Sequence, residues 1–210
     1  MERINGMISL VENIQGKTMT DKSLVLAAFD NKPITPYGNY NFVVNPLTEQ
    51  IPATTAELLR AATAWLVEVG DFHMATKIAG EEDKGAILVA STSLETGLPF
   101  GMARWYPSGL EGQVGIDFEM EYASGQLFLN GVETGDQVII VDDMISSGGT
   151  MLAMIEAVLQ AGASIVDIVC VAAKVDYQGL ERVQNETGYP VKTLVQISVA
   201  GDRSKVIQTG

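Results

Sequence analysis

Val138-Ile139-Ile140-Val141-Asp142-Asp143-Met144-Ile145-Ser146-Ser147-Gly148-Gly149-Thr150 is the stretch on which the fold turns. Four consecutive apolar residues predict a strand buried on both faces, as in a parallel sheet covered by helices. Two adjacent carboxylates follow, and then a loop of small residues enters a helix. In such sheets this junction lies at the carboxyl edge, where ligands bind. Ser146 to Thr150 offer hydroxyls and close-approach glycine backbone at a helix N-terminus, an arrangement suited to a phosphate monoester. Asp142 and Asp143 are acceptors placed for vicinal hydroxyls about a sugar's width away. Capping or a tight turn would explain either feature alone, whereas the combination points to a ligand site. No lysine follows the glycines, so this is not a Walker loop, and the glycine spacing does not fit a dinucleotide fingerprint.

The flanking segments extend the same pattern. A helix from Gly149 to Gln160 stops near Gly162, and a second buried strand runs from Ile165 to Ala173. Upstream, Lys77 to Ala79 predicts a strand, Gly80 to Gly85 a loop, Ala86 to Glu95 a helix and Pro99 to Arg104 a strand. A glycine-rich loop then runs through Gly115, followed by an antiparallel pair, Asp117 to Tyr122 and Gln126 to Leu129. The capping box Thr54-x-x-Glu57 opens a further helix with Leu58, Ala62, Trp65, Leu66 and Val69 at helical spacing, ended by Gly70. Strands alternating with helices give an α/β fold with a parallel sheet. Residues 1–50 are expected to form a helical segment and a small aromatic hood around Tyr37 to Pro46, and residues 51–210 the core domain.

The chain has 210 residues, 47% hydrophobic and 19% charged, which excludes disorder, collagen and coiled coil. The 13 basic and 26 acidic residues give a formal charge of −13, which argues against a general nucleic-acid surface. A phosphorylated small substrate stays compatible, because local backbone N–H groups reverse the field at one site. Cys170, the one cysteine, lies in an apolar run and predicts a buried, inert thiol. With no leader-like start and no long apolar run, no membrane contact and a cytoplasmic setting are expected. His73 has no second ligand near it in sequence, so a protein-held metal site is not expected.

The segment from Asp142 to Thr150 resembles the phosphoribosyl pyrophosphate motif of type I phosphoribosyltransferases, in the Gly-Gly-Thr form of adenine phosphoribosyltransferases. Gly38 to Phe42 with Asn45-Pro46, the loop Glu82-Asp83-Lys84-Gly85, Gly97 to Phe100, Gly109 to Gly112 and Lys192 to Val195 resemble the archaeal-type hypoxanthine/guanine enzymes in order and spacing. The resemblance implies the type I fold: a central parallel sheet with helices on both faces, a small hood and a flexible β-hairpin loop. It further implies transfer of the phosphoribosyl group to a purine base, Mg²⁺ carried on the pyrophosphate, and a homodimer.

On that basis Asp142 and Asp143 would bind the ribose hydroxyls and favour positive charge on the ring. Ser146, Ser147, Gly148, Gly149 and Thr150 would hold the 5′-phosphate, with Met144 and Ile145 in the same substrate-binding stretch. Glu82, Asp83, Lys84 and Gly85 would present backbone N–H groups and an ammonium to the pyrophosphate, and Arg104 would reach the same group. Two residues bear on the base. Glu121, with Tyr122, resembles the Glu-Tyr pair of adenine enzymes, whereas Lys174 resembles the donor of 6-oxopurine enzymes; an ammonium only donates, so it suits a ring oxygen. The anchored Glu-Tyr match favours adenine as the expected base. Tyr40 and Phe42 could stack on it, and Trp105 to Gly115 would be the closing loop. The pattern departs from the family at Trp105, where relatives have lysine, and at Glu111, where they have proline. Those departures keep a non-catalytic sensor in view, and a pyrimidine or specialised enzyme of the same fold is the third reading.

Overall fold

The computed structural model describes residues 21–119 and 124–210. It begins with helix Lys22–Phe29 (α1), the hairpin strands Ile34–Tyr37 (β1) and Tyr40–Val43 (β2), and helix Ala56–Val69 (α2). Strand Lys77–Glu81 (β3), helix Ala86–Thr96 (α3), and strands Phe100–Arg104 (β4), Val114–Glu119 (β5), Ser124–Asn130 (β6) and Gln137–Ile145 (β7) follow. The chain continues with helix Gly149–Gln160 (α4), strand Ser164–Lys174 (β8), a 3₁₀ turn Val175–Tyr177, helix Gly179–Thr187 (α5), and strands Lys192–Ser198 (β9) and Lys205–Thr209 (β10).

β3 to β10 form one eight-stranded sheet in the order β10-β9-β8-β7-β3-β4-β6-β5. Its five central strands, β9-β8-β7-β3-β4, run parallel, while β10, β6 and β5 add antiparallel edges. The run Val138 to Val141 shows why the centre must be covered on both faces. Val138 and Ile140 enter one core with Met154 and Val158 of α4 and Val183 of α5. Ile139 and Val141 enter the other with Trp65 and Leu66 of α2, Leu88 of α3 and Phe29 of α1. Successive strand residues point to opposite faces, so an unbroken apolar run is apolar on both.

Several expected boundaries move, among them β3, which runs on to Glu81, and β8, which spans Ser164–Lys174. The α2 cap is Thr55 rather than Thr54: the Thr55 side chain accepts from the Leu58 backbone N–H at 3.2 Å, while the Thr54 hydroxyl donates to the Pro46 carbonyl. The glycine-rich loop ends before Val114 because β5 already pairs there, Val114 facing Leu129. β7 does not stop at Val141. It stays hydrogen-bonded alongside the long β8 through Ile145, with Asp142 facing Cys170 and Met144 facing Ala172.

Candidate active site

The end of the cleft formed by Ser146 to Thr150 is built from a tight backbone turn and short side chains. Beyond β7, Ser146, Ser147 and Gly148 turn into α4, and Gly148 sits at φ 84°, which only glycine adopts without strain. The turn rests on the start of α5, where a Cβ on Gly179 would stand 2.0 Å from the Ser146 carbonyl oxygen. Arg182 of α5 donates to the Ser147 carbonyl at 3.3 Å. A shallow open cleft lies above, lined by Tyr40, Asp142 and residues 144–151. The first-turn N–H groups of α4 have no intrahelical acceptor and the helix dipole favours an anion there.

Asp142 and Asp143 stand on the last part of β7 at 7% and 8% exposure. The Asp142 carboxylate accepts from the Asp143 backbone N–H at 2.9 Å. Burial pushes Asp142 well above the usual carboxylate range, and the charges of Asp143 and Glu81 push the same way. Asp143 rises to about 6 through burial, held back by the Lys84 ammonium. A pair so placed discharges part of its cost when a hydroxyl donor or a cationic centre arrives.

Near the ends of β3 and β4 stand charged side chains that already have partners. Lys84 pairs with Glu49 at 2.6 Å and stands 4.9 Å from the centre of the Phe42 ring. Arg104, the last residue of β4, lies 3.0 Å from the Glu82 carboxylate. Gly85 opens α3 with its Cα tucked against Asp142, since a Cβ there would come within 2.7 Å of Oδ1. One step earlier Glu81 is 7% exposed and accepts a short hydrogen bond from the Trp105 indole N–H. Burial raises its carboxyl to about 7, against the lowering effect of that bond and of the Asp83 backbone N–H.

On the remaining side Lys174 ends β8 at 2% exposure, donates to the Asn41 carbonyl at 2.7 Å and lies 3.8 Å from the centre of the Tyr40 ring. The Tyr177 hydroxyl accepts from the Asn41 backbone N–H at 2.7 Å, which docks the β1–β2 hairpin on the sheet edge. Tyr40 lies 3.1 Å from the Ser146 hydroxyl through its own, so the hairpin also touches the phosphate loop. Its ring faces the Lys174 ammonium and packs edge-on to Phe42, 4.7 Å between centroids.

The sequence matches the phosphoribosyl transferase domain family over residues 59–191. The chain belongs to the phosphoribosyltransferase family. Among its relatives, a hypoxanthine/guanine phosphoribosyltransferase of Methanocaldococcus infernus is 44% identical over 167 residues, covering 80% of this chain and 90% of the relative. The enzyme of that name from Methanocaldococcus jannaschii is 39% identical over 83% of this chain and 94% of its own. Among solved structures, adenine phosphoribosyltransferase from Rhodothermus marinus superposes with a TM-score of 0.69 at 26% identity, covering 83% of this chain and 97% of that one. The Giardia lamblia adenine enzyme complexed with 9-deazaadenine gives 0.70 at 23% identity, covering 85% and 98%, and shares the fold.

In this phosphoribosyltransferase Asp142 and Ser146 to Thr150 line one cleft, with Asp143 next to Asp142, Gly85 packed against it, the Lys84–Glu49 and Arg104–Glu82 pairs nearby, and Lys174 against the Tyr40 ring. Asp83 is exposed on the same loop, and Met144 and Ile145 are part of the β7 ladder. Glu121 and Tyr122 lie outside the described residues. His73 is exposed on a turn, its backbone N–H bonded to Asp71. Burial pushes the Cys170 thiol well up, in keeping with an inert core residue. Glu81 and Glu49 escaped sequence reading. Glu81 carried a usable signal, because a carboxylate directly after Ile78-Ala79-Gly80 at a sheet edge must find a donor, the same logic that marks Arg104.

Proposed function

We propose that the chain transfers the 5-phosphoribosyl group from phosphoribosyl pyrophosphate to a purine, with hypoxanthine or guanine as acceptor. The buried Asp142–Asp143 pair beside the Ser146 to Thr150 loop carries the reading, since it sets two hydroxyl-binding carboxylates next to a phosphate cradle. The C1′–oxygen bond to pyrophosphate breaks, a purine ring nitrogen bonds to C1′ from the opposite face, and that ring gives up its N–H proton. The two carboxylates bind the ribose hydroxyls and lower the energy of the oxocarbenium-like centre. Lys84 and Arg104 take the departing pyrophosphate after exchanging Glu49 and Glu82 for phosphate oxygens. Magnesium would come with the substrate, phosphate oxygens supplying its hard ligands, and Asp142 with Asp143 would stand beside it at the cleft.

Two observations favour a 6-oxopurine. Relatives named for hypoxanthine and guanine match about four-fifths of the chain at 39–44% identity, and Lys174 supplies an ammonium donor beside the hood. Adenine is the second reading, supported by the adenine enzymes among the structural neighbours and by the Glu121-Tyr122 resemblance. The proposal includes a hood from residues 1–50 over a core of 51–210, a homodimer, and a cytoplasmic setting without nucleic-acid or membrane contact. Among the described residues no helix is long and apolar enough to cross a membrane.

Pyrophosphate release is the test, run with Mg²⁺, phosphoribosyl pyrophosphate and adenine, hypoxanthine, guanine, xanthine, uracil or orotate, the nucleotide being identified by mass. Release with hypoxanthine or guanine that is lost in Lys174→Ala supports the main reading. Release with adenine alone replaces it by the second. Binding of phosphoribosyl pyrophosphate without release from any base turns the chain into a sensor.

A further inference from the structure

Trp105 and Glu81 are used by no step above, yet they meet at the leaving-group end of the cleft. The Glu81 carboxylate, almost fully buried at the end of β3, accepts from the Trp105 indole N–H at the start of the β4–β5 loop. Glu81 is also the residue that leads directly into the loop Glu82 to Gly85 at the end of β3. One residue thus joins two loops that lie 24 residues apart in sequence. Beside it, Arg104 faces Glu82, and the Glu82 backbone N–H donates to the Ala103 carbonyl at 2.9 Å. The two contacts form neighbouring rungs between the ends of β3 and β4. They differ in one respect: the Arg104–Glu82 rung must open for Arg104 to reach an anion, whereas nothing in the transfer requires the Trp105–Glu81 rung to open.

We infer that Trp105 and Glu81 are positioning residues for the pyrophosphate subsite, a clasp that keeps the loop Glu82 to Gly85 in register with the β4 end while Arg104 changes partners. The inference rests on reading that loop as the leaving-group loop. A lysine at position 105 would act on the anion directly; the indole acts on the loop through Glu81. The N–H also occupies a carboxylate that would otherwise face an incoming polyanion.

The enzyme with its preferred base supplies the test. Trp105→Phe keeps an aromatic ring and removes the donor, Glu81→Ala removes the acceptor, and Glu81→Gln keeps one. Trp105→Phe and Glu81→Ala should each raise the KM for phosphoribosyl pyrophosphate, and the inhibition constant of pyrophosphate, about tenfold, the loss expected for one hydrogen bond to a charged group. The KM for the base should stay within twofold, the double variant should be no worse than either single one, and Glu81→Gln should recover most of the loss. Equal KM values in wild type and Trp105→Phe, equal loss for both substrates, or additive losses in the double variant would overturn the clasp. Should either variant fail to fold, ¹⁵N-indole labelling of the wild type decides it: the Trp105 N–H must stay protected from solvent exchange as pyrophosphate is added, and loss of that protection overturns the clasp. Absence of turnover by the wild type would instead defeat the transferase reading, while the pyrophosphate titration would still report on the clasp.

Discussion

On the proposed assignment, the two ends of the cleft would hold anions by different means. At the 5′-phosphate end the chain offers backbone: Ser146 to Gly148 turn over Gly179, and α4 points its first turn at the cleft. At the pyrophosphate end it offers long charged side chains, Lys84 and Arg104, each already matched with a carboxylate. A backbone cradle is fixed once the strand and helix are in place, so its position follows from local sequence. A side-chain site depends on partners such as Glu49, 35 residues from Lys84, and can exchange them. The first end suits the group that stays on the sugar and the second the group that leaves.

The sharpest way to break this comparison is at the carboxylates between the two ends. Asp142→Asn with Asp143→Asn should lower kcat/KM about a thousandfold. The same change should leave the ligand-free protein as stable or about 1–3 kcal/mol more stable, because two buried carboxyls whose ionisation burial disfavours are replaced by neutral amides. Activity and melting temperature moving in opposite directions is the expected signature in turnover and calorimetry.

Gly179→Ala tests the backbone end. Its Cβ would press on the Ser146 carbonyl, so about 3 kcal/mol of stability should be lost, with weaker binding of ribose 5-phosphate and little change in pyrophosphate inhibition. Chemical denaturation and the two binding constants check this.

Legibility follows the same divide. Val138 to Thr150 announces strand, carboxylates and phosphate turn because each part acts through its neighbours in sequence. The parallel centre is equally plain from the unbroken apolar runs. What escaped depends on distant pairing: β7 runs on to Ile145 because β8 runs beside it, and Thr55 caps α2 because Thr54 is taken by Pro46. Tyr40 and Phe42 were legible as aromatic, but that they lie against Lys174 and Lys84 comes from hairpin docking. The roles of Glu121 and Tyr122 fall on residues outside the described structure.

At the side-chain end, Glu81 should make stability depend on pH. Its folded-state value, about 7, lies above the ordinary 4.5, so the folded chain holds that proton to higher pH than the unfolded one. Stability associated with it is complete below about pH 4.5 and falls as pH rises through 7. Asp142 and Asp143 act in the same direction. Asp136, held low by Lys77 despite some burial, acts oppositely and only at acid pH. Between pH 4.5 and 8 Glu81→Gln should gain about 2–3 kcal/mol on the wild type, read from denaturation curves at each pH. The smallest effect belongs to Thr55→Ala, far from either end, which should cost about 1 kcal/mol through the lost cap and leave kcat/KM unaltered.

The β3–β7 register has a consequence for folding. It joins Lys77 to Val138, the longest sequence separation among the parallel strand pairs, whereas β3–β4, β7–β8 and β8–β9 each close over a much shorter span. Long closures form late because their entropy must be met before contacts reward it. The cleft straddles that seam, with Asp142 on one side and Glu81 to Gly85 on the other. A substrate touching both therefore works as a removable cross-link, slowing separation of the two halves of the sheet and making resistance to proteolysis rise with ligand concentration.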